Sequence, residues 1–202
     1  MIGVINYGLG NVHAFLDCFR ILGHSVLEVS EPAQLSECSK LILPGVGSFD
    51  TAMQKLNDSG LREPLDNLAE SGAVDVLGVC VGLQMLFTRS DEGVERGLGW
   101  IPGQTHKLTS QPASRERVPH MGWNSVDIQQ ESPLFNQLQD PSFYFLHSYY
   151  VAPEDSGAIL AITEYGSTFT VAVQSQNIWG VQFHPEKSHR SGLQLLQNFA
   201  LI

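Results

Sequence analysis

A cysteine held between glycines is the residue of this sequence best placed to do chemistry. In Gly78-Val79-Cys80-Val81-Gly82-Leu83-Gln84 a β-branched run ends at Cys80, glycines stand two positions before and after it, and a helical stretch follows. This is the form of a nucleophile elbow, a sharp strand-to-helix turn that pushes the nucleophile outward, with sulfur in place of the usual hydroxyl. Both glycines have a mechanical reason, because the turn brings backbone segments too close for larger side chains. A buried structural thiol is the plainer alternative for a lone cysteine.

A thiol is not a nucleophile at neutral pH by position alone. Lowering a cysteine pKa from about 8.5 to roughly 6.5 takes about 2.7 kcal/mol of preference for thiolate. A helix N-terminus typically gives about 0.3–1 kcal/mol, so a cationic partner is expected. Among seven histidines, Gln182-Phe183-His184-Pro185-Glu186 stands out. Pro185 keeps His184 extended, and residues i and i+2 of an extended chain point to the same side, so His184 and Glu186 can reach one site. Glu186 would then fix the imidazole tautomer and support its charge. Taken alone, His-Pro-Glu could equally be a surface turn. A third piece, Pro44-Gly45-Val46-Gly47-Ser48-Phe49, follows an apolar run and precedes a helix. Its glycines free backbone N–H groups to face an oxyanion, although a tight turn would also use them.

These pieces need a scaffold that brings them to one edge. Residues 2–6, 25–29, 40–43 and 75–79 are short apolar runs bounded by turn residues, as buried parallel strands should be. Between them, 11–22 places Val12, Phe15, Leu16, Ile21 and Leu22 near one helical face, and 50–70 holds two amphipathic pieces around Ser59-Gly60. Strand, helix, strand at this spacing predicts a parallel α/β sheet, whose ligands bind beyond the carboxyl ends of the strands. From about 99 to 182 short strands and turns alternate, with turns expected at Gly122-Trp123-Asn124-Ser125, Asp140-Pro141-Ser142 and Glu154-Asp155-Ser156-Gly157, and Ser191 to Ala200 reads as a closing helix. No linker interrupts residues 1–202, which predicts a single domain. Tyr7-Gly8-Leu9-Gly10-Asn11 stands where a dinucleotide loop would sit, but His13 occupies the place of the third glycine, so a structural turn is favoured and no cofactor is implied.

Composition narrows the classes of function. With 11 Lys and Arg against 21 Asp and Glu the net charge is -10, which repels a phosphate backbone and disfavours nucleic acid as a partner. No run of about 18 apolar residues could cross a bilayer. The first residues lack the basic start and cleavage site of a signal peptide, so a cytoplasmic location is expected. Cys18, Cys38 and Cys80 are odd in number and lack metal-ligand spacing, which argues against a disulfide framework and against a metal site.

Taken together, the Gly-Val-Cys-Val-Gly-Leu-Gln elbow, the Pro-Gly-Val-Gly-Ser-Phe loop and Gln-Phe-His-Pro-Glu-Lys-Ser resemble class I glutamine amidotransferases in order and spacing. More narrowly, Tyr7 to Asn11, Pro119-His-Met-Gly-Trp-Asn124 and Tyr144-Phe-Leu-His-Ser-Tyr149 look like the glutaminase subunits of imidazole glycerol phosphate synthases, from end to end. The resemblance implies a three-layer α/β fold with a mainly parallel central sheet, antiparallel additions and a nucleophile elbow. It implies hydrolysis of L-glutamine by a Cys80, His184, Glu186 triad, with ammonia passed to a cyclase subunit of (β/α)8 barrel fold in a heterodimer of histidine biosynthesis. By the same likeness, Val46, Gly47 and Val81 form the oxyanion hole, and Gly45, Gln84, Glu92 and Ser148 hold glutamine. Asn11, Trp123, Asn124, Tyr144 and Lys187 match the interface with the cyclase. Asp75, where relatives often carry proline, and Ala14 depart from the family pattern without touching the chemistry. A stand-alone cysteine hydrolase, a non-catalytic binding protein, and a glutaminase serving a related cyclase stay open at this point.

Overall fold

The elbow is where the chain leaves an unbroken run of parallel strands for mostly antiparallel pairing. The computed structural model describes residues 1–109 and 117–202. The first half alternates β1 (Ile2–Ile5), α1 (Val12–Ile21), β2 (Val26–Val29), β3 (Lys40–Gly45), α2 (Phe49–Asp58), α3 (Arg62–Ser71), β4 (Asp75–Cys80) and the short α4 (Val81–Met85). The second half runs through β5 (Arg89–Ser90), β6 (Gly103–Lys107), β7 (His120–Ser125), β8 (Asp127–Ile128), β9 (Ser142–His147), β10 (Tyr149–Pro153), β11 (Ile159–Tyr165), β12 (Ser167–Ser175) and β13 (Ile178–Val181) to α5 (His189–Leu201).

The central sheet has the order β2-β1-β3-β4-β13-β12-β10-β6-β5, with β11 and β8 attached beside β12. Pairing is parallel from β2 across to β13, because β13 returns beside β4 in the same sense. Beyond it, β12 and β10 pair antiparallel with their neighbours. The step from β1 to β2 and the step from β3 to β4 run in opposite directions across the sheet. Right-handed crossovers therefore put α1 on one face and α2 with α3 on the other, giving three layers. The α/β expectation holds, with β3 and β4 each running past the expected ends because Pro44 pairs with Val79 and Gly45 with Cys80.

Two local expectations are overturned. In α1 the buried residues are Val12, Phe15, Leu16 and Phe19, the i, i+3, i+4, i+7 stripe, whereas Ile21 is 75% exposed. Each such buried side chain is worth roughly 1.5–3 kcal/mol, so Phe19 rather than Ile21 anchors the helix. The expected turn at Gly122 to Ser125 is instead the end of β7, which pairs antiparallel with β9 in a separate two-stranded ribbon, Trp123 opposite Tyr144. The predicted turn at 154–157 is present as a single 3-10 turn, and the closing helix begins two residues earlier than expected, at His189.

Candidate active site

Backbone crowding builds the elbow. Cys80, the last residue of β4, has φ 56 and ψ -112, a conformation that costs a side-chain-bearing residue about 1–3 kcal/mol and persists only where its surroundings impose it. The surroundings are close: a Cβ on Gly82 would lie 1.9 Å from the Leu43 carbonyl oxygen, and one on Gly45 would lie 2.3 Å from the Gly82 amide nitrogen. The first turn of α4 is thus in direct backbone contact with the end of β3, which sets the Gly45 to Gly47 loop beside the nucleophile. Val81, at the first position of α4, has a backbone N–H without an intrahelical acceptor. With α4 only five residues long, its dipole gives the sulfur limited help.

His184 arrives from the other side. After β13 the fully buried Phe183 stacks on Phe143 of β9 with ring centroids 3.8 Å apart and meets Phe145 edge-on at 5.7 Å. The His184 backbone N–H donates to the Tyr144 carbonyl at 2.9 Å, and the Ser188 hydroxyl, which donates to the His184 carbonyl, accepts from the Tyr144 N–H at 2.9 Å. His184 and Glu186 converge as the Pro185 geometry predicts: His184 Nδ1 lies 3.0 Å from Glu186 Oε1, both side chains almost wholly buried. Burial alone would lower the His184 pKa, but hydrogen bonding and charge from Cys80, and then from Glu186, hold it well above the ordinary range. Since Nδ1 faces Glu186, Nε2 is left for the sulfur. The second oxygen, Glu186 Oε2, is buried without a partner among the described residues.

Cys80, Val81, Gln84 and His184 line one cleft of about 340 Å³, together with Val46, Gly47, Glu92, Ser148 and Lys187. Of the residues singled out in the sequence for catalysis, oxyanion stabilisation and glutamine binding, all but Gly45 and Glu186 therefore line it, and Glu186 is buried behind His184. Gly45 is buried in β3 opposite Cys80, where its lack of a side chain admits Gly82, so it supports the elbow from behind. Glu92 lines the cleft, and its Oε2 accepts the Phe49 N–H at 2.8 Å, at the start of α2.

The sequence reading missed a buried polar chain behind the cleft. The Tyr149 carbonyl can only accept, so His147 Nδ1, 2.8 Å away, carries its hydrogen and Nε2 is an acceptor. His120 Nδ1, 2.9 Å from that Nε2, must then be the donor, leaving His120 Nε2 to accept from the Asn124 amide at 3.4 Å. Both imidazoles are neutral: burial pushes His120 down to about 4 and His147 down to about 3. His120 and His147 are directly opposite across β7 and β9 although 27 positions apart in sequence, so only the pairing register discloses them.

The five residues assigned to a partner face differ in what they offer. Trp123 is 50% exposed, stacks on His189 at 5.3 Å and meets Tyr144 edge-on at 6.4 Å; Met121 and Leu146 are exposed on the same ribbon. Lys187 is exposed at the cleft, and Asn11 is exposed at the start of α1. Asn124 is half-buried, and its amide is used internally, donating to the Glu164 carbonyl at 2.9 Å and to His120 while its oxygen accepts the Ser125 N–H.

Among the described residues no helix is long and apolar enough to cross a membrane. The family model for glutamine amidotransferase class-I matches residues 3–202. An imidazole glycerol phosphate synthase subunit HisH of Leptospira interrogans is 47% identical, covering all of both chains, as is that of Bdellovibrio bacteriovorus. The HisH subunit of Synechococcus elongatus is 43% identical over 98% of this chain and 91% of its own. Among solved structures, a glutamine amidotransferase superposes with TM-score 0.72 at 19% identity, covering 98% of each chain, and PurLQS from Thermotoga maritima with TM-score 0.72 at 17% identity, covering 99% of this chain and 97% of that one. At these identities the structures establish the fold.

Proposed function

The chain belongs to the class I glutamine amidotransferases, and from that premise we propose that it is the glutaminase subunit of an imidazole glycerol phosphate synthase, acting as one domain over residues 1–202. One observation carries the reading: Cys80 of the elbow and His184, backed by the buried Glu186, line a single cleft in a chain matched end to end by subunits of that synthase. In the proposed mechanism the Cys80 proton passes to His184 Nε2 and the sulfur attacks the carboxamide carbon of glutamine. The resulting oxyanion is met by backbone N–H groups of Val81 and of the Val46 to Gly47 segment. As the C–N bond breaks, His184 returns the proton to the departing nitrogen and ammonia leaves. Water, deprotonated by the same imidazole, then cleaves the glutamyl thioester, releasing glutamate and restoring the thiolate.

Glu186 orients His184 and supports its charge throughout. Gln84, Glu92 and Ser148 hold the substrate, Glu92 being the carboxylate suited to its α-ammonium group. The ammonia is used by a cyclase subunit of (β/α)8 barrel fold, bound as a heterodimer against Trp123, Tyr144, Lys187 and Asn11, to make imidazole glycerol phosphate and an aminoimidazole carboxamide ribotide in cytoplasmic histidine biosynthesis. Asn124 supports this face from within. The test is co-purification with the cyclase of the same organism, followed by an assay of glutamine-dependent imidazole glycerol phosphate formation. A complex that forms the product from glutamine supports the proposal; a chain that neither binds the cyclase nor releases glutamate in its presence refutes it.

A further inference from the structure

Gln182, the residue two before His184, has no role in the mechanism above, yet it is fully buried and its amide lies against the nucleophile. Its Nε2 is 3.7 Å from Cys80 Sγ, and its Oε1 accepts from Gln84 Nε2 at 3.1 Å. Which end of such an amide faces which neighbour follows from a short chain of necessity. The Tyr149 carbonyl can only accept, and Gln84 Nε2 donates to it at 3.3 Å, so the nitrogen of Gln84 points inward. That nitrogen needs a second acceptor, which is the Gln182 oxygen. The Gln182 nitrogen must then face Cys80. Among the described residues the sulfur is its acceptor.

We infer that Gln182 is the hydrogen-bond donor that stabilises the Cys80 thiolate, an inference that rests on the reading of Cys80 as nucleophile. A thiol sulfur is a weak acceptor, whereas a thiolate accepts a charge-assisted bond, so the contact strengthens when the proton leaves for His184. Hydrogen bonding to the charged form favours it. The neutral donor also acts where charge is scarce: the Cys80 sulfur otherwise has the Leu146 carbonyl at 3.8 Å, which accepts from the thiol and repels the thiolate. Titratable groups around the sulfur are Tyr7 from the β1 side, His147 and His184, Glu186 behind His184, and Glu92, Tyr149 and Lys187 on the cleft wall. Only His184 and Lys187 among these favour thiolate, and Gln182 adds a donor that does not titrate.

The test is the rate of Cys80 alkylation by iodoacetamide across a pH series in the isolated chain, read on the Cys80 peptide by mass spectrometry so that Cys18 and Cys38 do not contribute. Gln182→Met is expected to raise the pH midpoint by about one unit, roughly tenfold less thiolate below it, while the plateau at high pH stays near wild type. A packing role would lower the melting temperature or the plateau without moving the midpoint, and an unmoved midpoint in folded Gln182→Met overturns the inference. If that variant does not fold, Gln84→Met serves, since it frees the Gln182 amide to turn: a smaller rise in midpoint supports the inference and no rise overturns it. A wild-type Cys80 that alkylates only as an ordinary thiol would instead remove the nucleophile reading on which both stand.

Discussion

Replacing Gly82 by alanine tests whether backbone contact holds the nucleophile in place. The added Cβ would sit 1.9 Å from the Leu43 carbonyl oxygen and 3.2 Å from the Pro44 carbonyl carbon. A carbon and an oxygen rest at roughly 3.3 Å or more, so one segment must retreat by over an ångström. Neither can do so freely, since Leu43 pairs with Gly78 of β4 on one side and β3 pairs with β1 on the other. Overpacking of this kind costs about 1–3 kcal/mol and sometimes more, and the rigid neighbour places Gly82→Ala at the upper end. Alanine regains up to about 1 kcal/mol of helix propensity, leaving a net loss of about 2 kcal/mol or more. For a chain of this length that lowers the melting temperature by about 4–8 °C. Urea denaturation followed by tryptophan fluorescence gives the free energy, and iodoacetamide labelling shows whether Cys80 has moved. Gly72→Ala is the control, with open space around its Cβ but φ +67, so it carries backbone strain without a clash. A Gly82→Ala protein within about 0.5 kcal/mol of wild type, labelling at the normal rate, would refute the claim that this close approach shapes the elbow.

Glu186→Gln keeps an oxygen for His184 Nδ1–H and puts an amide where Oε2 has no partner among the described residues, so stability should hold while the supporting charge is lost. Glutaminase turnover with the cyclase should fall at least about tenfold, and an undiminished rate would exclude Glu186 from the triad. The neutral His120 and His147 have folded pKa values below the ordinary value of about 6.5, so their contribution is complete above pH 6.5 and is lost as pH falls toward about 4 and about 3. In that window the unfolded chain takes up protons that the folded one refuses, and His147→Gln should flatten the pH dependence of unfolding by about 1.4 kcal/mol per unit; an unchanged slope would mean that His147 is charged in the folded chain. Trp123→Glu, at a half-exposed stacked aromatic, should weaken cyclase binding about thirtyfold in a titration, and unaltered affinity would move the docking face elsewhere.

What could be read from sequence was whatever the backbone itself dictates. The two glycines around Cys80 and the proline after His184 constrain local geometry whatever lies far away, so the elbow and the His184–Glu186 pair were legible before any fold was known. Gly122 and Asn124 misled for the opposite reason: both are turn formers, but pairing with β9 overrides that preference. Ile21 is apolar but stands off the stripe that Val12, Phe15, Leu16 and Phe19 follow, so apolar character alone misplaces it. Gln182 and the His120–His147 contact lay beyond local reasoning, since each depends on which strand ends lie side by side.

Cys80 occupies a backbone conformation in which glycine would be at ease, so the sulfur is kept there against the chain's own thermodynamic interest. A glycine at this position would relieve the twist and end the chemistry at once. Breeding this chain for heat resistance alone, by melting point and without a turnover screen, would therefore select against its reactive atom, and hardier descendants would tend to be inert.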